Sequence, residues 1–225
     1  MAKKQQQKTR TTLEEVNDSL SGAAQKLEQN QKYVYWALIG IVAIILIVMG
    51  YIYGIKKPNE QKAADANGKA FMELMQGDRA NALQDFEKAA DAYGNKGGDV
   101  AKLNAAILLY QDSAYDKAAK YLEDYDPDGA LVGPASQSLL GDCYVNLNQY
   151  DKAVAAFDRA ISLSADNETY TPWFMMKKAT VLEAQEKWDA AADLYQQVKT
   201  KYPSFAEQAV AIDRYLERAM AKAGK

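Results

Sequence analysis

Gly94-Asn95-Lys96-Gly97-Gly98, the carboxylate pairs Glu123/Asp124 and Asp126/Asp128, and the thiol of Cys143 are the groups in this sequence whose types and spacing could do chemistry. A glycine cluster cradles phosphate when it ends in Gly-Lys-Ser/Thr and joins a strand to a helix; this one does neither. Paired acids shuttle protons or bind calcium, but these lie in a turn without calcium-loop spacing, as solvated acids do. A cysteine nucleophile needs a base, and the sequence has no histidine at all. That absence also removes the commonest metal ligand and every histidine-containing triad. With a single cysteine, neither an internal disulfide nor a cysteine-based zinc site forms, and Cys143 reads as a packed core thiol. Asn167-Glu168-Thr169 has the form of a glycosylation acceptor, a triplet that often arises by chance. These residues predict no enzyme, no cofactor, no metal and no small-molecule substrate.

The elements around them are unevenly built. The first 57 residues carry a net charge of +4 and the remainder −7. An acidic C-terminal part argues against nucleic acid, because phosphate binding needs a basic face. From Tyr33 to Ile55 there is no charged residue. As a helix this run is roughly 34 Å long, enough to cross a hydrocarbon core of about 30 Å. Tyr33, Tyr35 and Trp36 stand at one end and Tyr51 and Tyr53 at the other, where amphipathic rings favour the headgroup layer. The run is too long for a cleavable signal, and lysines follow it instead of a small-residue cleavage site, so it is expected to remain as an anchor. Lys3, Lys4, Lys8, Arg10, Lys26 and Lys32 favour a cytoplasmic N-terminus, with the larger part on the far side; Lys56, Lys57 and Lys62 pull weakly the other way. Ahead of the span, residues 1–32 form a polar tail. Its Thr12/Glu15 capping box and Leu13, Val16, Leu20, Ala24 and Leu27 predict a short amphipathic helix, which either pairs with a partner or membrane surface or frays.

After a linker over 56–60, residues 61–203 repeat themselves. Tyr115-Asp116-Lys117-Ala118 recurs as Tyr150-Asp151-Lys152-Ala153 and loosely as Trp188-Asp189-Ala190-Ala191. Aligned on Ala82, Ala118, Ala153 and Ala191, a bulky residue follows four positions later: Phe86, Leu122, Phe157 and Tyr195. Ala89, Tyr125, Ala160 and Val198 come three further on, and a small residue lies twelve upstream: Ala70, Ala106, Gly141 and Ala179. The pattern predicts antiparallel helical hairpins: the small residue lets two backbones approach, and the large ones fill the gap to the next hairpin. Breaks are expected at Gly94–Gly98, Asp126–Gly129 and Ser164–Pro172. Ser204 is expected to cap a last helix from Phe205 to about Lys222, with Val210, Leu216 and Met220 covering the open end.

These residues resemble the tetratricopeptide repeat (TPR) motif, most fully in Leu140-Gly141, Tyr144, Tyr150, Ala153, Phe157 and Ala160. The fourth unit keeps its terminal Pro203, whereas the first has Arg79 where an aromatic is usual. The resemblance implies an all-α protein: one N-terminal transmembrane helix, a right-handed superhelix of about four TPR hairpins and a C-terminal capping helix over 204–225. It also implies a concave protein-binding groove lined by the first helix of each hairpin. On this sequence the groove positions are Asn67, Phe71, Leu103, Ile107, Tyr110, Ser138, Asp142, Val145, Trp173 and Met176. Part of this stripe is open to a second reading, as packing under the C-terminal helix. The cationic clamp of chaperone-binding TPR proteins is missing, since Asn67, Leu103, Ser138 and Met176 occupy its places.

The order of parts is similar to the YfgM-like family of bacterial inner-membrane proteins. That likeness implies a periplasmic TPR domain associated with the SecYEG translocon and a membrane-anchored periplasmic chaperone of the prolyl-isomerase class, or with unfolded clients. The alternative is a structural scaffold linking inner-membrane machinery to an envelope assembly or secretion complex.

Overall fold

In the computed structural model, which describes residues 30–94, 96–209 and 212–224, every regular element is helical. The chain separates into two units, Met1–Asn59 and Glu60–Lys225.

In the first unit, α1 (Gln31–Tyr51) runs into a π-helical turn, Ile52–Lys56. Its side chains are apolar on every side, and Leu38, Ile41, Ile45 and Val48 are all exposed. The helix has no polar face and is long and apolar enough to cross a membrane. At its two ends Lys32 lies 5.3 Å from the Tyr33 ring centre and Lys57 lies 4.5 Å from that of Tyr53. The Thr12/Glu15 box and the Leu13–Leu27 stripe lie outside the described residues. The stretch read as a linker, 56–60, is helical: α2 (Lys57–Met75) begins directly after the π-helical turn. Pro58, which has no N–H to donate, lies just past the π-helical turn, whose widened bonding runs from the Lys57 N–H to the Ile52 carbonyl five residues back.

The second unit is a stack of four hairpins. They pair α2 with α3 (Arg79–Ala92), α4 (Lys96–Gln111) with α5 (Tyr115–Glu123), α6 (Val132–Asn146) with α7 (Tyr150–Leu163), and α8 (Tyr170–Ala184) with α9 (Trp188–Lys201). The repeat register explains the core. Ala82, Ala118, Ala153 and Ala191 are completely buried, and so are Phe86, Leu122, Phe157 and Tyr195 to within 1%. Each of these larger side chains contributes about 1.5–3 kcal/mol by leaving water. Gly141 shows why the upstream residue must be small, since a Cβ there would lie 2.6 Å from the Phe157 ring. Arg79, the departure from the aromatic pattern, has a task of its own. Its guanidinium donates to the Leu108 carbonyl at 2.6 Å and pairs with Asp112 at 2.9 Å, fastening the first hairpin to the second.

All four hairpins turn in one way. The residue five before each reference alanine has positive φ: Gly77 (83°), Ser113 (60°), Asn148 (56°) and Glu186 (59°). The N–H that follows reaches back five residues, as from Asp78 to the Glu73 carbonyl (2.9 Å) and from Lys187 to that of Leu182 (2.9 Å). This left-handed cap satisfies carbonyls that the helix end leaves open. Only the first turn uses glycine, the residue without steric cost there. Glu186→Gly is therefore expected to raise stability by about 0.5–1 kcal/mol, read as a higher midpoint in thermal unfolding, whereas Gly77→Ala should lower it by a similar amount.

Three boundaries differ from the sequence expectation. Lys96, Gly97 and Gly98 begin α4 instead of forming a loop, and a Cβ at Gly98 would meet the Tyr93 carbonyl oxygen at 1.5 Å. The break after α7 ends earlier than expected, because Asn167 Oδ1 accepts from the N–H groups of Thr169 and Tyr170 at 3.0 Å and starts α8, with Pro172 inside its first turn. The last helical region is described as Pro203–Ala209 (α10) and Ile212–Ala223 (α11), and it begins at Pro203 and not after a Ser204 cap. Ile212, Leu216 and Ala219 are buried with Tyr195, Val198 and Tyr202, while Met220 is exposed and Val210 lies outside the described residues. Arg218 of α11 pairs with Glu183 of α8 at 2.5 Å.

The first face of the stack is built differently. Asp65, Lys69 and Met72 are exposed, whereas the equivalent Ala101, Ala105 and Leu108, and Ser136, Leu140 and Cys143, are buried against the preceding hairpin. Charge at the first two positions makes that face fit for water, as an end repeat requires.

Candidate protein-binding groove

The first helices α2, α4, α6 and α8 carry all ten residues expected to line the groove, and their exposures sort them into three sets. Phe71 (40%), Ile107 (36%) and Trp173 (44%) are exposed. Leu103, Tyr110, Asp142 and Val145 are half-buried. Asn67, Ser138 and Met176 are buried, so their side chains form the wall and not the lining. Asn67 Nδ2 donates to the Gly97 carbonyl at 2.8 Å, tying α2 to the start of α4. Aspartate at Met176, an obvious probe of the groove from the repeat pattern, would instead bury a charge.

Packing accounts for what the exposed members do. Phe71 meets Phe86 edge-on with ring centres 5.1 Å apart, and Trp173 meets Phe205 of α10 at 5.3 Å. The C-terminal helices therefore hold the Trp173 ring in place while leaving part of it open. One apolar lining residue is absent from the expected set: Val100 (42% exposed) occupies on α4 the place that Trp173 has on α8. The signal for Val100 was available in its spacing, six residues before the small Ala106 as Trp173 is before Ala179.

Across the third and fourth hairpins the lining turns polar. Lys177 Nζ donates to Asp142 Oδ2 at 2.5 Å and to Ser138 Oγ at 3.3 Å. Burial pushes the Asp142 carboxyl above its ordinary range, with Lys177 pulling the other way. A carboxyl raised in the folded state favours folding most below its ordinary pKa and loses that contribution as pH rises through the folded value. Asp142→Asn is thus expected to unfold at a higher temperature than the unsubstituted protein at about pH 7, the difference disappearing near about pH 3. Differential scanning calorimetry at the two pH values reads this directly. Beneath the pair, Cys143 is buried, and burial together with Asp142 pushes its thiol up to about 12. No thiolate is available there, in keeping with a packed core residue. Among the described residues no group of three or more Cys, Asp or Glu could hold a metal ion.

Comparison with known proteins agrees with this architecture. A family model described as a tetratricopeptide repeat-like domain matches residues 68–182, just over half of the chain, and a tetratricopeptide repeat model matches residues 174–204. Among solved structures, a crystal structure of MamA protein is similar with a TM-score of 0.57 at 17% identity, over 74% of this chain and 83% of that one. The nearly identical TPR-like repeats of a putative kinesin light chain from Podosopora anserina are similar with a TM-score of 0.55 at 15% identity, over 72% and 87%. At such identities the likeness is one of fold. No curated protein matches the chain.

Proposed function

Because the chain belongs to the tetratricopeptide repeat-like family, a class of protein–protein interaction modules, we propose that it holds partner proteins along the first-helix groove while tethered to a membrane. The observation that carries this reading is the row Phe71, Val100, Ile107 and Trp173. These large apolar side chains fall at two repeat positions, Phe71 and Ile107 at one and Val100 and Trp173 at the other, on three of the four first helices. They are left more than a third exposed, although the alanines and large residues of the repeat register are buried. Such a row marks a recognition surface more than a fault in packing.

The finer assignment follows the likeness to the YfgM-like family. On that reading α1 is the anchor in a bacterial inner membrane, the N-terminus is cytoplasmic and the TPR unit periplasmic. The protein is then an accessory, chaperone-like subunit at the Sec translocon and not an enzyme. Tethering supports this role physically: a groove linked to the membrane meets an emerging chain at high effective concentration, so weak intrinsic affinity suffices. Gentle solubilisation, capture through a C-terminal tag and identification of the copurifying proteins tests it. Translocon subunits with a periplasmic chaperone are the expected recovery. A different envelope complex without translocon would replace this reading by that of a structural scaffold.

A further inference from the structure

At the loop end of α4 and α6 a cavity of about 290 Å³ shares Val100 with the groove. Its apolar walls are Val100, Val132 and the buried ring of Tyr125, and its lining carries Asp99, Asp126 and Asp128 with Lys96, while Lys102 stands 3.5 Å from Asp99. The volume is near the lower limit of ligand pockets, about 300 Å³, room for one long side chain. We propose that the partner segment held in the groove carries a lysine or arginine beside its apolar residues, and that this side chain enters the cavity. The inference rests on the groove reading above.

A basic side chain suits the site at both ends. Its aliphatic stem lies against the valines and the tyrosine ring, and its charged head reaches the carboxylates. Two of those acids already have tasks. Asp99 sits in the first turn of α4, where it offsets the helix N-terminus, 3.5 Å from Lys102. Asp128 pairs with Lys96 at 2.9 Å and accepts from the Gly129 N–H at 2.8 Å. Asp126 is exposed and makes no hydrogen bond among the described residues, so the mouth holds a surplus negative charge. The −7 charge of residues 58–225 draws a basic segment in the same direction.

The test uses the full chain in lipid nanodiscs and a fluorescent Leu/Ala peptide flanked by lysines, with a twin flanked by glutamates. The lysine peptide is expected to bind about tenfold more tightly, the scale of one charge-assisted contact. Asp126→Asn with Asp128→Asn should abolish that preference, and Glu87→Gln with Asp91→Asn, the same charge change elsewhere, should preserve it. Ile107→Asn with Trp173→Asn should weaken both peptides. Equal binding of the twins, a preference that survives at Asp126 and Asp128, or one lost equally through Glu87 and Asp91 overturns the inference. If the groove variant still weakens both peptides in that case, the groove reading stands. Binding indifferent to Ile107 and Trp173 sinks the groove, and no binding of either peptide sinks both.

Discussion

Replacing Phe157 by alanine is expected to cost about 3–5 kcal/mol of folding stability, the range for emptying a buried aromatic site. The ring is 1% exposed and sits in the central cluster with Leu109, Leu122, Leu140 and Val181, so its loss opens the contact between the second, third and fourth hairpins at once. Gly141 gives an internal check. A methyl group at Gly141 would press on the Phe157 ring at 2.6 Å, so Gly141→Ala alone should destabilise by about 1–3 kcal/mol. In the Phe157→Ala background the same change fills vacated space and adds helix propensity, and its cost should vanish or change sign. Chemical denaturation of the four variants measures the cycle. Additive costs would mean that ring and glycine do not share the packing described.

The largest functional effect belongs to the groove. Ile107→Asp with Trp173→Asp is expected to lower partner affinity about 30-fold or more, the consequence of removing anchors worth about 2 kcal/mol or more between them. The helical circular dichroism of the variant should be unchanged, because both side chains are already partly in water. The reading fails if a folded variant recovers the same partners in the same amounts. Because Trp173 also meets Phe205 edge-on, as Phe71 meets Phe86, a thermal melt of the variant separates loss of binding from loss of stability.

Much of this architecture was legible in the sequence because burial and periodicity coincide. The alanines at 82, 118, 153 and 191 and the large residues four places on mark the register, and every one of them is buried. The lining was harder to read. Asn67, Ser138 and Met176 share their repeat position with Leu103, and a pattern of types does not reveal how far each backbone leans on its neighbour. The turns were hidden for another reason. Ser113 and Glu186 adopt the left-handed conformation against their own preference, held there by the two helices they join.

The charged first face and the roofed last face have a consequence for measurement of another kind. A stack closed at both ends is counted, not grown: copies added at the head would have to bury Asp65 and Lys69, and at the tail α11 stands in the way. The groove therefore has a fixed length, set by four first helices at a spacing of about 10 Å. On the groove reading proposed above, an extended partner at about 3.3–3.6 Å per residue spans some 10 residues. Whatever its identity, the partner meets a gauge of set length.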